Sequence, residues 1–112
     1  MKVQADFTAQ NKCDFVGYIA DDLELKQTES GTHFMSFNMD VIKFYKRKDG
    51  NTGKEKVQIP CEIWDSGAEH LAQKAQKGSR MWITTTLRKN DDGFIFRVNH
   101  FKVSRPKVEN EA

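Results

Sequence analysis

Between Met35 and Val41 apolar side chains fall on every second residue, Met35, Phe37, Met39 and Val41 being separated by Ser36, Asn38 and Asp40. A period of two puts successive side chains on opposite faces of an extended chain, so this segment is a half-buried strand with its odd positions toward a core. The same period returns twice. Val57, Ile59, Cys61 and Ile63 alternate with Gln58, Pro60 and Glu62, and Met81, Ile83, Thr85 and Leu87 with their polar neighbours. Pro60 cannot donate to a ladder and therefore marks an edge or a bulge. Lys12–Ala20, carrying Phe15, Val16, Tyr18 and Ile19, is a further strand. Leu23 and Leu25, alternating with Glu24 and Lys26, are expected to continue it past a bend at Gly17. Phe94–Val103 closes the series.

A helical period occurs once, where Ala68, Leu71, Ala72 and Ala75 recur at spacings of three and four. Asp65 or Ser66 is the expected cap of this helix, which runs to Gln76, and Gly78 lies where a left-handed residue would end it. Glycine-bearing polar stretches punctuate the rest: Glu29–Thr32, a long tip at 46–55 reading KRKDGNTGKE, and Asn90–Gly93. Five strands with one short helix between the third and fourth is the order of an all-β, five-stranded oligonucleotide-binding (OB) barrel, whose closure removes exposed sheet edges. The expected division is an N-terminal extension at 1–10, one domain at 11–103 and a short tail at 104–112; 112 residues hold no second core.

Charge distribution narrows the function. The net charge is +2, yet residues 1–40 carry −4 and residues 41–112 carry +6. Lys43, Lys46, Arg47, Lys48, Lys54 and Lys56 crowd the long tip, with Phe44 and Tyr45 among them. Lys77, Arg80, Arg88 and Lys89 flank the fourth strand, which holds Trp82. Cations interleaved with aromatics suit a single-stranded nucleic acid, which presents phosphates and unstacked bases together. Asp21, Asp22 and Glu24 are expected to lie away from that groove.

Other chemistries find no support. Cys13 and Cys61 lack metal-ligand or redox spacing and are expected as unbridged thiols, and His33, His70 and His100 are scattered, so no metal and no cofactor is expected. Phosphate-cradling loops and nucleophile motifs are missing, which argues for a protein that is not an enzyme. No apolar run is long enough to span a bilayer and the first ten residues do not form a secretory leader, so no membrane partner and a cytoplasmic location are expected.

Three stretches resemble the bacterial single-stranded DNA-binding protein family: NKCDFVGYIADDLELKQTESGTHFMSFNMDV, IPCEIWDSGAEHLAQKAQKGSRMWITTTLR and DDGFIFRVNHFKV, together spanning Asn11 to Val103. The resemblance implies single-stranded DNA as partner, with Tyr45 at the hairpin aromatic and Trp64 at the aromatic ending the third strand, both base-stacking positions. Two further family tryptophans fall on Gln58 and near Asn90, so Phe44, Trp82 or Phe94 would have to compensate. The resemblance also implies self-association as dimers or tetramers, and in many members of that family an acidic C-terminal tip recruits other proteins. The sequence SRPKVENEA is not such a tip, so no recruitment of that kind is expected.

The candidate stacking residues are therefore Tyr45, Trp64, Phe44, Trp82 and Phe94. The candidate phosphate contacts are Lys43, Lys46, Arg47, Lys48, Lys54, Lys56, Arg80, Arg88 and Lys89. Trp64 shares the even row with Gln58 and Glu62, which favours exposure. Phe44 has two readings, stacker or brace beneath the loop; Trp82 has two as well, stacker or subunit contact. An adaptor resembling the primosomal restart proteins, tailless OB dimers that bind partners as well as DNA, is the rival function.

Overall fold

The computed structural model describes residues 10–104, so most of the 1–10 extension and of the 104–112 tail lies outside the described residues. The elements are β1 (Cys13–Ile19), β2 (Lys26–Gln27), β3 (His33–Lys46), β4 (Thr52–Trp64), α1 (Asp65–Lys74), β5 (Arg80–Asn90) and β6 (Gly93–Val103). Their sheet order is β1-β5-β6-β4-β3-β2, and β1 also pairs with β3. That extra pairing joins the two ends of the sheet, so β1, β3, β4, β5 and β6 form the closed five-stranded OB barrel, with the two-residue β2 appended to β3.

Alternation sets the interior. Met35, Phe37 and Met39 of β3, Ile59, Cys61 and Ile63 of β4, and Met81 and Ile83 of β5 are all buried, while Ala68 and Leu71 of α1 close one end. Thr85 continues the β5 row inward and bonds its hydroxyl to the Cys13 carbonyl at 2.9 Å. Asn11 extends the β1–β5 ladder by side chain: its Oδ1 accepts from the Leu87 N–H at 2.8 Å and its Nδ2 donates to the Leu87 carbonyl at 2.9 Å.

Gly17 sits where β1 is shared, opposite Val41 of β3 on one side and Met81 of β5 on the other. A Cβ there would lie 2.3 Å from the Asp40 carbonyl oxygen. Glycine is needed for this close backbone approach, and the approach closes the barrel.

Pro60 fits an edge for a legible reason. Opposite it, Asn38 accepts from the Ala20 N–H at 2.9 Å and donates its own N–H to the Asp21 carboxylate at 2.7 Å, so its backbone faces β1 and away from β4. Pro60 consequently owes β3 no donor, and β6 joins β4 only from Cys61 onward.

Several local expectations are corrected. Residues 20–25 do not continue the first strand: β1 stops at Ile19 because Ala20 and Asp21 are taken up by Asn38, and the chain turns there. Leu23 packs against the core while Leu25 is exposed. Val57 and Leu87 share the parity of the core rows yet are exposed, since both strands have already run past the barrel. Neither Asp65 nor Ser66 caps α1; Trp64 is the cap residue, in an extended conformation and without a side-chain bond, and Asp65 turns the chain at φ 58°, a left-handed value that Asp tolerates. The helix ends at Lys74, ahead of Gln76, and Gly78, at φ 90°, serves the turn that leads into β5.

Candidate nucleic-acid interface

The long hairpin leaves the barrel as two paired arms, from Val41↔Val57 to Lys46↔Thr52. Its tip is an i→i+3 turn closed by the Gly50 N–H on the Arg47 carbonyl at 3.0 Å, with Gly50 at φ 89°. Asp49 is spent on that turn, accepting from the Asn51 N–H at 2.9 Å and from its amide at 3.2 Å. Among the described residues, no ion pair engages Lys43, Lys46, Arg47, Lys48, Lys54 or Lys56. Six cations thus stand on one exposed projection with only Asp49 and Glu55 among them.

Strand alternation gives the hairpin two working faces. Phe44, 65% exposed, is directly opposite Lys54 and shares its face with Lys46 and Lys56. That exposure leaves most of the ring open to solvent, which fits a stacker better than a brace beneath the loop. Tyr45 lies on the other face with Lys43, opposite Gly53. Its ring covers the Gly53 backbone so closely that a Cβ there would fall 2.4 Å from Tyr45 Cζ, and the Arg47 guanidinium stands 5.9 Å from the ring centroid. Glycine thereby seats the tyrosine flat against the hairpin and fixes its orientation.

A second basic and aromatic group lies at the same end of the barrel. β4 and β6 run parallel, Cys61 beside Phe96, so tracing both backward leads to the long tip and to the Asn90–Gly93 turn together. Phe94, 66% exposed, is opposite Lys89, and Arg88 is one pair inward. The hairpin cations and Arg88, Lys89 and Phe94 are thus brought toward one end.

Trp64 is at the opposite end of β4 and differs from its expectation of exposure. It is half-buried, because Phe34 across the strand pair stacks on it at 5.0 Å and 22°, and the Arg97 guanidinium lies 5.3 Å from its ring centroid. Arg97 is held by Glu62 at 2.8 Å. Among the described residues, the Trp64 Nε1 is the buried side-chain donor without a partner. Phe34 and Arg97 were not singled out by sequence pattern; both follow once the register places them opposite Trp64 and Glu62.

Trp82 and Arg80 stand apart from all of this. They lie on the outer face of β1, β5 and β6, Trp82 between Val16 and Lys102 and Arg80 beside Tyr18. Asp21, expected to lie away from the groove, accepts from the side-chain amide of Asn38 at 3.1 Å. With Asp40, which accepts from Gln58 at 3.0 Å, it keeps the middle of the β3–β4 face from being positive.

Cys13 and Cys61 are both free thiols. Burial pushes the Cys61 thiol up to about 12, so it stays protonated at neutral pH and is no nucleophile. Among the described residues no three His, Cys, Asp or Glu side chains converge as a metal site, and no helix is long and apolar enough to cross a membrane.

Residues 10–92 match the model of the single-strand binding protein family. Similar proteins include single-stranded DNA-binding protein 1 of Streptococcus pyogenes serotype M18, 35% identical over 78 residues that are 70% of this chain and 58% of that protein. Single-stranded DNA-binding protein 3 of Streptococcus agalactiae serotype V is 35% identical over the same span, 55% of its length. The matched region of the chain thus spans a little over half the length of these curated relatives. In fold, the chain is similar to a small single-stranded DNA-binding protein of Streptomyces coelicolor, with a TM-score of 0.72 at 11% identity over 83% of this chain and 91% of that one. It is also similar to PriB of Ralstonia solanacearum, with a TM-score of 0.71 at 11% identity over 87% of this chain and 100% of that one.

Proposed function

The chain belongs to the single-strand binding protein family, and on that premise we propose that it binds single-stranded DNA with little sequence preference, by binding alone and without catalysis, in replication, recombination or repair. The carrying observation is the six-cation hairpin with an aromatic on each face, Phe44 on one and Tyr45 on the other. Cations there follow a phosphate backbone, and π-faces accept any base, which accounts for the tolerance of sequence. Arg88, Lys89 and Phe94 extend the contact at the same end, and Trp64 with Phe34 offers a stack at the far end of β4. The bacterial relatives support action in the bacterial cytoplasm or nucleoid.

Alanine at Phe44 or at Trp64 tests the stacking part. Each is expected to weaken poly-dT binding by about 1 to 3 kcal/mol while leaving the salt slope unchanged, because a ring carries no charge. Phe44→Ala is the cleaner variant, since its ring is exposed and leaves no cavity. Unaltered affinity in a folded Phe44→Ala protein, read by fluorescence anisotropy, contradicts the assignment.

Self-association is the second part of the reading. Val16, Tyr18 and Trp82 are 42%, 40% and 53% exposed on the outer face of β1 and β5. An apolar patch on a small barrel suits contact with a second copy. Trp82 is accordingly assigned to the subunit contact, and light scattering is expected to give a mass above the 12.9 kDa of one chain. An adaptor that binds partner proteins as well as DNA is the alternative function; the likeness to PriB, at 11% identity, bears on the fold alone.

A further inference from the structure

Both faces of the Trp64 ring are occupied. β4 lies between β3 and β6 in the sheet. From the β3 side Phe34 stacks on the indole at 5.0 Å and 22°. From the β6 side the Arg97 guanidinium stands over the ring at 5.3 Å, held by Glu62 at 2.8 Å. A base cannot lie flat on a ring covered from both sides. The open side of the stack is Phe34. Its row on β3 is the outward one, alternating with buried Met35 and Phe37, and it is half-buried without packing against the core as Phe15, Phe96 and Phe101 do. On its other side, away from Trp64, the exposed Lys26 of β2 is directly opposite in register, so the two side chains share a face. β2 ends the sheet there.

We propose that Phe34 receives a base of the single strand and Lys26 its phosphate, a nucleotide half-site in which Trp64 is the backing ring. The inference rests on the single-strand reading above and deepens it at the Trp64 end. Two observations favour it. The first is that two rings stacked on the outside of the barrel are not accounted for by core packing. The second is that the pairing recurs on the same strand: in the hairpin Phe44 is directly opposite Lys54, so β3 carries an outward phenylalanine beside a lysine at each end. A π-face next to a cation matches a nucleotide, which offers a base and a phosphate together. Of the carboxylates nearby, Glu62 is held on Arg97 and Glu69 on His33. Exposed Asp65 follows Trp64 into α1, and exposed Glu24 precedes Lys26 by two residues, yet among the described residues no ion pair engages Lys26.

The test compares Phe34→Leu, Phe34→Tyr and Lys26→Ala with the parent protein by fluorescence anisotropy on oligo-dT of about 30 nucleotides, with urea unfolding of each variant as the control for folding. Leucine keeps an apolar cover on Trp64 but removes the π-face. Phe34→Leu is therefore expected to lower affinity about 5- to 100-fold at an unchanged salt slope, the loss of one stacked base. Phe34→Tyr is expected to keep the parent affinity, because the π-face survives. Lys26→Ala is expected to lower the slope of log affinity against log salt by about 0.7, one phosphate contact. A folded Phe34→Leu protein with the parent affinity overturns the half-site, while a loss in Phe44→Ala keeps the single-strand reading standing. Equal losses in Phe34→Leu and Phe34→Tyr overturn it also, since fit against Trp64 rather than an open ring face would then be what matters. An unchanged slope in Lys26→Ala overturns it whether or not Phe34→Leu folds. Failure of the parent protein to bind oligo-dT overturns the single-strand reading and the half-site together.

Discussion

Replacing Lys46, Arg47 and Lys48 together by alanine is expected to lower the salt slope for poly-dT by about two, at about 0.7 per phosphate contact on single strands. Between about 50 and 200 mM salt, the parent protein should therefore lose roughly 20-fold more affinity than the variant. The reason lies in the hairpin tip. The three residues end the β3 arm and begin the turn, on an exposed projection where no described ion pair competes for them. Asp49, the nearest carboxylate in sequence, holds the turn through Asn51. The turn itself is made by backbone bonds and Gly50, so the variant keeps its geometry. Weakening should be uniform across sequences, because phosphates carry no sequence information. A slope reduced by less than about one unit would place the phosphate contacts elsewhere on the molecule.

Gly17→Ala is expected to cost about 3 kcal/mol or more, at the upper end of what overpacking does. The added methyl would stand 2.3 Å from the Asp40 carbonyl oxygen and 3.1 Å from its carbon. Those are backbone atoms in a ladder, which cannot rotate aside as a side chain does. Relief requires separating β1 from β3 at Gly17↔Val41, Tyr18↔Asp40 and Ile19↔Met39, the pairing that closes the barrel. Urea unfolding should show the midpoint falling sharply, with DNA binding lost in step. A midpoint equal to that of the parent would mean that β1 and β3 do not meet this closely.

Much of this architecture was legible in the chain because a period of two reports which face a residue occupies. Met35, Phe37 and Met39, or Met81 and Ile83, follow directly from it, and the helical period marks Ala68 and Leu71 equally well. Alternation does not report where a strand stops being covered. Val57 and Leu87 keep the core parity and lie in solvent, because the barrel ends before the strands do. The stretch holding Leu23 and Leu25 failed for a different reason: two alternations cannot outweigh backbone bonds to Asn38 that turn the chain at Ala20 and Asp21.

The same limit shaped the candidate site. Residue types and their clustering located the basic hairpin and its aromatics, but the division of Phe44 and Tyr45 between two faces needed the register with Lys54 and Gly53. Trp64 was expected exposed on parity alone. Its partial burial depends on Phe34, 30 positions earlier in the chain, lying directly across the strand pair. Cross-chain placement of that kind has no local signature.

The most direct test of the proposed function is a titration of fluorescent poly-dT and of a matched duplex with the same protein under the same salt. The account predicts that poly-dT binds with a Kd below roughly 10⁻⁶ M, tighter than non-specific association, and that the duplex binds more weakly. Kd values for both that stay within or above roughly 10⁻⁴ to 10⁻⁶ M would contradict it.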